Sequence, residues 1–168
     1  HLALIVFPRM DLLTIPEEIS QLEKLSYLMF RYLDSIVFPM KLKHVRRVDF
    51  YGVPANGIYN ALCALPALEY VSIDGTGNLA LSTCFLKPEK LKGLFLFNTD
   101  LIDISIDLDR LVSLEKIEFE YCDINAVQGE IVGISSLRHL AINYCDLEED
   151  WVNTFRQTHT ISVDTLRI

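Results

Sequence analysis

Apolar residues recur along this chain in short alternating runs set at nearly equal intervals, and the interval carries more information than any single run. Residues 114–124 (LEKIEFEYCDI) and 137–147 (LRHLAINYCDL) align without a gap. In each, apolar side chains two apart, such as Ile117 and Phe119, bracket a residue that points the other way, as expected of a strand with one buried face. The first strand position of every copy gives Ile5, Leu28, Val48, Val71, Leu94, Ile117, Leu140 and Ile161, at intervals of 23, 20, 23, 23, 23, 23 and 21. A series this regular predicts one structural unit repeated eight times, each burying its apolar face only against its neighbours.

Between strands a second set of apolar residues repeats. Leu12, Ile15, Ile19, Leu22 and Leu25 correspond to Leu101, Ile104, Leu108, Leu111 and Leu114, and again to Ile124, Val127, Ile131, Ile134 and Leu137. The middle copies are less regular: Pro39, Leu42 and Val45 close a shortened unit, and residues 75–88 lack clear periodicity. The return segments are expected to hold short helices. Pro16 followed by Glu17 and Glu18 suits a first helical turn, and residues 146–155 read as an amphipathic helix begun by an Asp cap, with Trp151 and Phe155 on its apolar face.

Both aligned segments fit LxxLxLxx(N/C)xL, and on those residues the chain resembles the leucine-rich-repeat family over nearly its whole length. The resemblance implies an α/β solenoid over residues 1–168, a curved parallel sheet of about eight strands with short helices or irregular segments on its convex side. One departure matters. The position usually held by Asn, whose side chain bonds the turn after the strand, is Met10, Leu33, Val53, Thr76, Thr99, Cys122 and Cys145. Thr and Cys can hydrogen-bond there; Met, Leu and Val cannot. Looser or differently bonded turns are therefore expected in the first units, and the domain reads as a segment excised from a longer chain.

Composition narrows the function. The 168 residues suffice for one core, and no run approaches the roughly 18 apolar residues of a membrane span. A net charge of −8 speaks against nucleic acid or an anionic membrane as partner and favours a basic or mixed one. The basic run Lys41, Lys43, His44, Arg46 and Arg47 reads first as a solvated rim. Cys63, Cys84, Cys122 and Cys145 form no CxxC pair, so no metal or redox site is expected. Cysteine caps of the kind found on secreted leucine-rich-repeat proteins are missing, which favours an intracellular, cytoplasmic setting.

The candidate binding residues follow from alternation. Side chains between and after the strand leucines face the concave side, where the resemblance places ligand binding. The middle column runs Val6, Met29, Asp49, Ser72, Phe95, Glu118, Ala141 and Ser162, and the next Pro8, Arg31, Tyr51, Asp74, Phe97, Glu120, Asn143 and Asp164. With Tyr121, His139 and Tyr144 alongside, Arg31, Tyr51, Phe95, Phe97, Glu118 and Glu120 form the candidate partner-binding set, rich in the aromatic residues that dominate interface energetics. Phe95 and Phe97 alternate with Leu94 and Leu96, so they should face away from the core. Cys122 and Cys145, at equivalent positions, are expected to be buried thiols on adjacent rungs.

No catalytic residue, cofactor or metal is expected. His139 near Glu118 lacks a nucleophile, no phosphate loop is present, and Asp103, Asp107 and Asp109 alternate with apolar residues as a solvated face would. The expected role is a protein–protein recognition module. The alternative is the sensing or autoinhibitory part of a multidomain receptor or ligase adaptor, to which residues 15–19 (IPEEI) lend a weak likeness.

Overall fold

The computed structural model describes residues 3–38, 40–82, 88–105, 111–127, 129, 131, 133–145 and 162–163. Strands β1 (Ala3–Phe7), β3 (Leu25–Arg31), β5 (Arg47–Tyr51), β6 (Tyr70–Ser82), β7 (Gly93–Ser105), β8 (Lys116–Glu120), β9 (His139–Asn143) and β10 (Ser162–Val163) lie side by side in that order in one parallel sheet. Two further strands, β2 (Met10–Thr14) and β4 (Leu33–Val37), pair with each other in a second sheet. The helix α1 spans Ala55–Ala64.

The register reproduces the repeat. Ile5 pairs with Leu28, Leu28 with Val48, Val48 with Val71, Val71 with Leu94, Leu94 with Ile117, and Ile117 with Leu140. The last step differs from expectation. Val163, not Ile161, pairs with Leu140, so the final interval is 23 and Ser162 sits beside His139. Residues 161 and 163 have the same parity, so alternation alone cannot choose between them; only the ladder does.

The inward residues of successive strands form a continuous core, with Leu28, Phe30, Val48, Phe50, Val71, Ile73, Leu96, Phe119 and Leu140 all buried. Phe7, Phe30 and Phe50 stack along it, with ring centroids 5.2 and 5.5 Å apart. The return segments close the other side with Ile15, Leu42, Val45, Leu101, Leu111, Ile124, Val127, Ile131 and Ile134. In the first unit the expected Leu12 is exposed and its neighbour Leu13 is buried instead. Two adjacent leucines leave the inward one undecided until a strand fixes their parity, and β2 turns Leu13 toward the core beside Ile36 of β4.

These return segments are more extended than expected. β2 and β4 are strands, and β6 and β7 each run on past the first sheet, pairing again from Gly77–Thr99 to Ser82–Ser105. Between the two pairs α1 takes the place of a strand. It packs on β4, and the Tyr59 hydroxyl accepts the Ala80 N–H of β6 at 2.9 Å, covering a backbone donor that a neighbouring strand would otherwise satisfy. The predicted helix at Pro16 is a short 3-10 turn, Glu17–Gln21. Trp151 and Phe155 lie outside the described residues.

Candidate functional site

Alternation leaves one face of the main sheet to side chains that the core does not use. The register aligns them in three columns: Tyr27, Arg47, Tyr70, Gly93, Lys116 and His139; then Val6, Met29, Asp49, Ser72, Phe95, Glu118 and Ala141; then Arg31, Tyr51, Asp74, Phe97, Glu120 and Asn143. Phe95 and Phe97 are partly exposed while Leu94 and Leu96 are buried, as their alternation predicts.

A fourth column follows directly: Tyr32, Gly52, Gly75, Asn98, Tyr121 and Tyr144, all with φ between 48° and 70°. This left-handed residue turns the chain out of the strand and aims its successor into the core. Gly and Asn suit it, whereas tyrosine is disfavoured there. Gly52, Gly75 and Asn98 at equal spacing were the signal for it in the sequence.

Four groups form on this face. In the first, Arg47 donates through Nε and a terminal nitrogen to the two oxygens of Asp49 (3.0 and 3.2 Å), and Tyr27 donates its hydroxyl to the same carboxylate. The guanidinium lies 5.0 Å from the Tyr27 ring centre. Burial, then the hydrogen bond to Asp49, push the Tyr27 phenol up to about 12, and the bond to Asp49 raises Arg47. Sequence reading placed Asp49 in its column but not this group.

In the second, Arg31 lies over Tyr51 at 5.4 Å. In the third, Gly93 leaves room for the rings of Tyr70 and Phe95, which would stand 2.8 and 2.9 Å from any Cβ there. Lys116 sits 5.5 Å from the Phe95 ring centre and 3.0 Å from Glu118, with His139 at 4.0 Å from the same carboxylate oxygen. In the fourth, Tyr121 and Tyr144 stack at 4.7 Å with rings 6° from parallel, beside a concavity of about 310 Å³ bounded also by Asp100, Cys122 and Asp123. The nine candidate residues thus share one side of the sheet. Arg31–Tyr51, Phe95–Glu118–His139 and Tyr121–Tyr144 form clusters, and Phe97 and Glu120 are backbone neighbours in register.

Behind the left-handed column runs a turn ladder in place of the Asn series. Thr76 N–H donates to Thr99 Oγ1 (3.3 Å), and Cys122 N–H to Cys145 Sγ (3.3 Å). Thr76 and Thr99 donate in turn to the carbonyls of Val53 and Phe97, and Cys145 to that of Asn143. Met10 and Leu33, which cannot take part, are instead paired with each other in the second sheet. Both cysteines are buried, and the hydrogen bond with Cys122 and then burial push the Cys145 thiol up.

On the edge where the strands begin, Glu69 bridges Arg46 (2.7 Å) and Lys92 (2.8 Å). With Glu115 and Arg138, these residues alternate in sign every 23 positions, a pattern already visible in the sequence. Arg46 and Arg47 of the basic run are therefore ion-paired, while Lys41, Lys43 and His44 are exposed. Among the described residues no group of three or more His, Cys, Asp or Glu is arranged to hold a metal ion, and no helix is long and apolar enough to cross a membrane. Asp103 is exposed; Asp107 and Asp109 lie outside the described residues. No family model and no curated protein matches the chain.

Proposed function

We propose that the chain is a leucine-rich-repeat solenoid that works as a protein–protein recognition module, engaging a protein partner through the outward face of its strands. The single observation that supports this is the aromatic content of a face that needs only polar residues to stay solvated. Phe95 and Phe97 keep part of their apolar area in water, and Tyr51 and Phe95 are held by cations on the same face, the kind of rigid aromatic anchor that dominates binding energy. An intracellular setting suits the turn ladder, since Cys145 accepts from Cys122 N–H while donating to Asn143, which only the reduced thiol does.

The test is affinity capture from the native source, followed by mass spectrometry, comparing wild type with Phe95→Ala/Phe97→Ala. The double variant is expected to lose the captured partner while its thermal midpoint stays within a few degrees, because neither ring belongs to the core. Unchanged capture, or a collapse of stability, would count against the proposal.

A further inference from the structure

We propose that Cys122 and Cys145 form an oxidation site, a dithiol that a hydroperoxide converts to a disulfide across two adjacent units of the sheet. The inference goes beyond the recognition reading and does not depend on it. Set 23 residues apart, the two thiols carry no redox spacing in the sequence. The register is what brings them together.

Glu120 pairs with Asn143, and each cysteine follows two residues later. Neighbouring strands lie about 4.8 Å apart, inside the roughly 4.4–6.8 Å between Cα atoms that a disulfide spans. Cys145 Sγ stands 3.3 Å from the Cys122 nitrogen, and the two side chains are hydrogen-bonded to each other. On the outer side the preceding residues, Tyr121 and Tyr144, stack at 4.7 Å, so the two units touch on both sides of the turn. Closing the bond asks the side chains to turn and asks little of the backbone.

The two sulfurs are not equivalent. The hydrogen bond with Cys145, helped by a backbone bond from Thr99, holds the Cys122 thiol below its ordinary range despite burial, and the same pairing pushes Cys145 up. Cys122 is therefore the nucleophile and Cys145 the resolving thiol. Cys122 also bounds the concavity of about 310 Å³ that it shares with Asp100, Tyr121, Asp123 and Tyr144. That space suits a small neutral oxidant, hydrogen peroxide, while the two carboxylates and the burial of both thiols disfavour a bulky anionic one such as glutathione disulfide. The Cys122 thiolate attacks one peroxide oxygen and the O–O bond breaks. The departing hydroxide takes the proton that Cys122 gave up, leaving water and a sulfenic acid. The Cys145 sulfur then attacks that of Cys122; the S–O bond breaks and the hydroxyl leaves as water with the Cys145 proton. Two thiols and one peroxide become one disulfide and two waters.

The experiment treats the folded, reduced 168-residue chain carrying Cys63→Ser/Cys84→Ser with hydrogen peroxide and reads intact mass and tryptic peptides. Cleavage after Lys116 and Arg138 puts the two remaining cysteines in separate peptides. The chain is expected to lose two hydrogens, to yield the Cys122–Cys145 cross-linked peptide, and to regain its starting mass with dithiothreitol. The rate should stay constant in urea below the unfolding transition, and glutathione disulfide at equal concentration should react at least about tenfold more slowly. In Cys145→Thr, where a hydroxyl keeps the ladder, Cys122 is expected to gain oxygen; in Cys122→Thr, Cys145 is expected to stay unmodified. Circular dichroism verifies that each variant folds; if the serine background does not, wild type mapped in the same way decides.

No cross-link in the folded chain, oxygen added to Cys122 while Cys145 is present, or a rate that tracks the unfolded fraction in urea would overturn the assignment. So would equal oxidation by glutathione disulfide, or oxidation of Cys145 in Cys122→Thr. Oxidation and partner capture are read on different residues, so either reading can fail while the other stands.

Discussion

Asp49 is a carboxylate with a side chain only 3% exposed, on a strand face where its column neighbours Met29 and Ser72 are uncharged. A lone buried charge would be costly; two donors, Arg47 and Tyr27, make it tolerable. Arg47→Ala is expected to destabilise the fold by about 2 kcal/mol, below the roughly 3–5 kcal/mol of a fully buried pair because the guanidinium is half exposed and Tyr27 still donates. Urea denaturation measures it. The Tyr27 phenol, raised to about 12, makes the site alkali-sensitive. The fold favours the neutral phenol, so this stabilisation is complete below the unfolded value of about 10 and is lost as pH climbs through about 12. Following tyrosinate absorbance should show one late-titrating tyrosine, missing in Tyr27→Phe. Arg47 and Asp49, two apart, were legible as neighbours on one face, and the 20-residue interval set Tyr27 beside Arg47; the reach of the Tyr27 hydroxyl to the Asp49 carboxylate was not legible, because it depends on how the side chains turn on that face.

The turn ladder shows side-chain chemistry legible in advance and geometry that was not. That Thr and Cys could bond the turn followed from their atoms alone. That Thr99 and Cys145 accept the amide of the equivalent residue one unit earlier required the stacked units. Cys145→Ala removes the acceptor of the Cys122 amide and is expected to cost about 1–3 kcal/mol, whereas Cys145→Thr, imitating Thr99, should stay within about 1 kcal/mol of wild type. Thermal denaturation of both variants distinguishes a ladder bond from simple packing, which would penalise them alike. Native-state thiol labelling should modify exposed Cys63 quickly and leave Cys122 and Cys145 until denaturant is added. The first units were the least legible. Their apolar turn residues signalled different bonding, but nothing in five residues such as MDLLT says that a second sheet provides it.

Because the register repeats so closely, a unit is exchangeable in a way that no residue is. Val71, Leu94 and Ile117 occupy the same rung position 23 residues apart, so deleting residues 94–116 sets Ile117 where Leu94 stood. The shortened chain is expected to fold with a lower thermal midpoint, since stability in stacked units is roughly a sum over units and their interfaces. A chain unfolded by the deletion would refute the equivalence. The interval series made this order readable from the sequence, and only the shared parity of 161 and 163 left its last member misplaced. The helix α1 imposes a different order on the two sides. The main sheet passes from β1 to β9 without a gap, but on the return side the hydrogen-bonded strands stop at β4 and begin again at β6. Amide exchange would therefore follow two rules in one molecule. An opening among the return strands of the first units ends at α1, whose amides bond within its own turns, while amides of the main sheet exchange together when the whole sheet lets go.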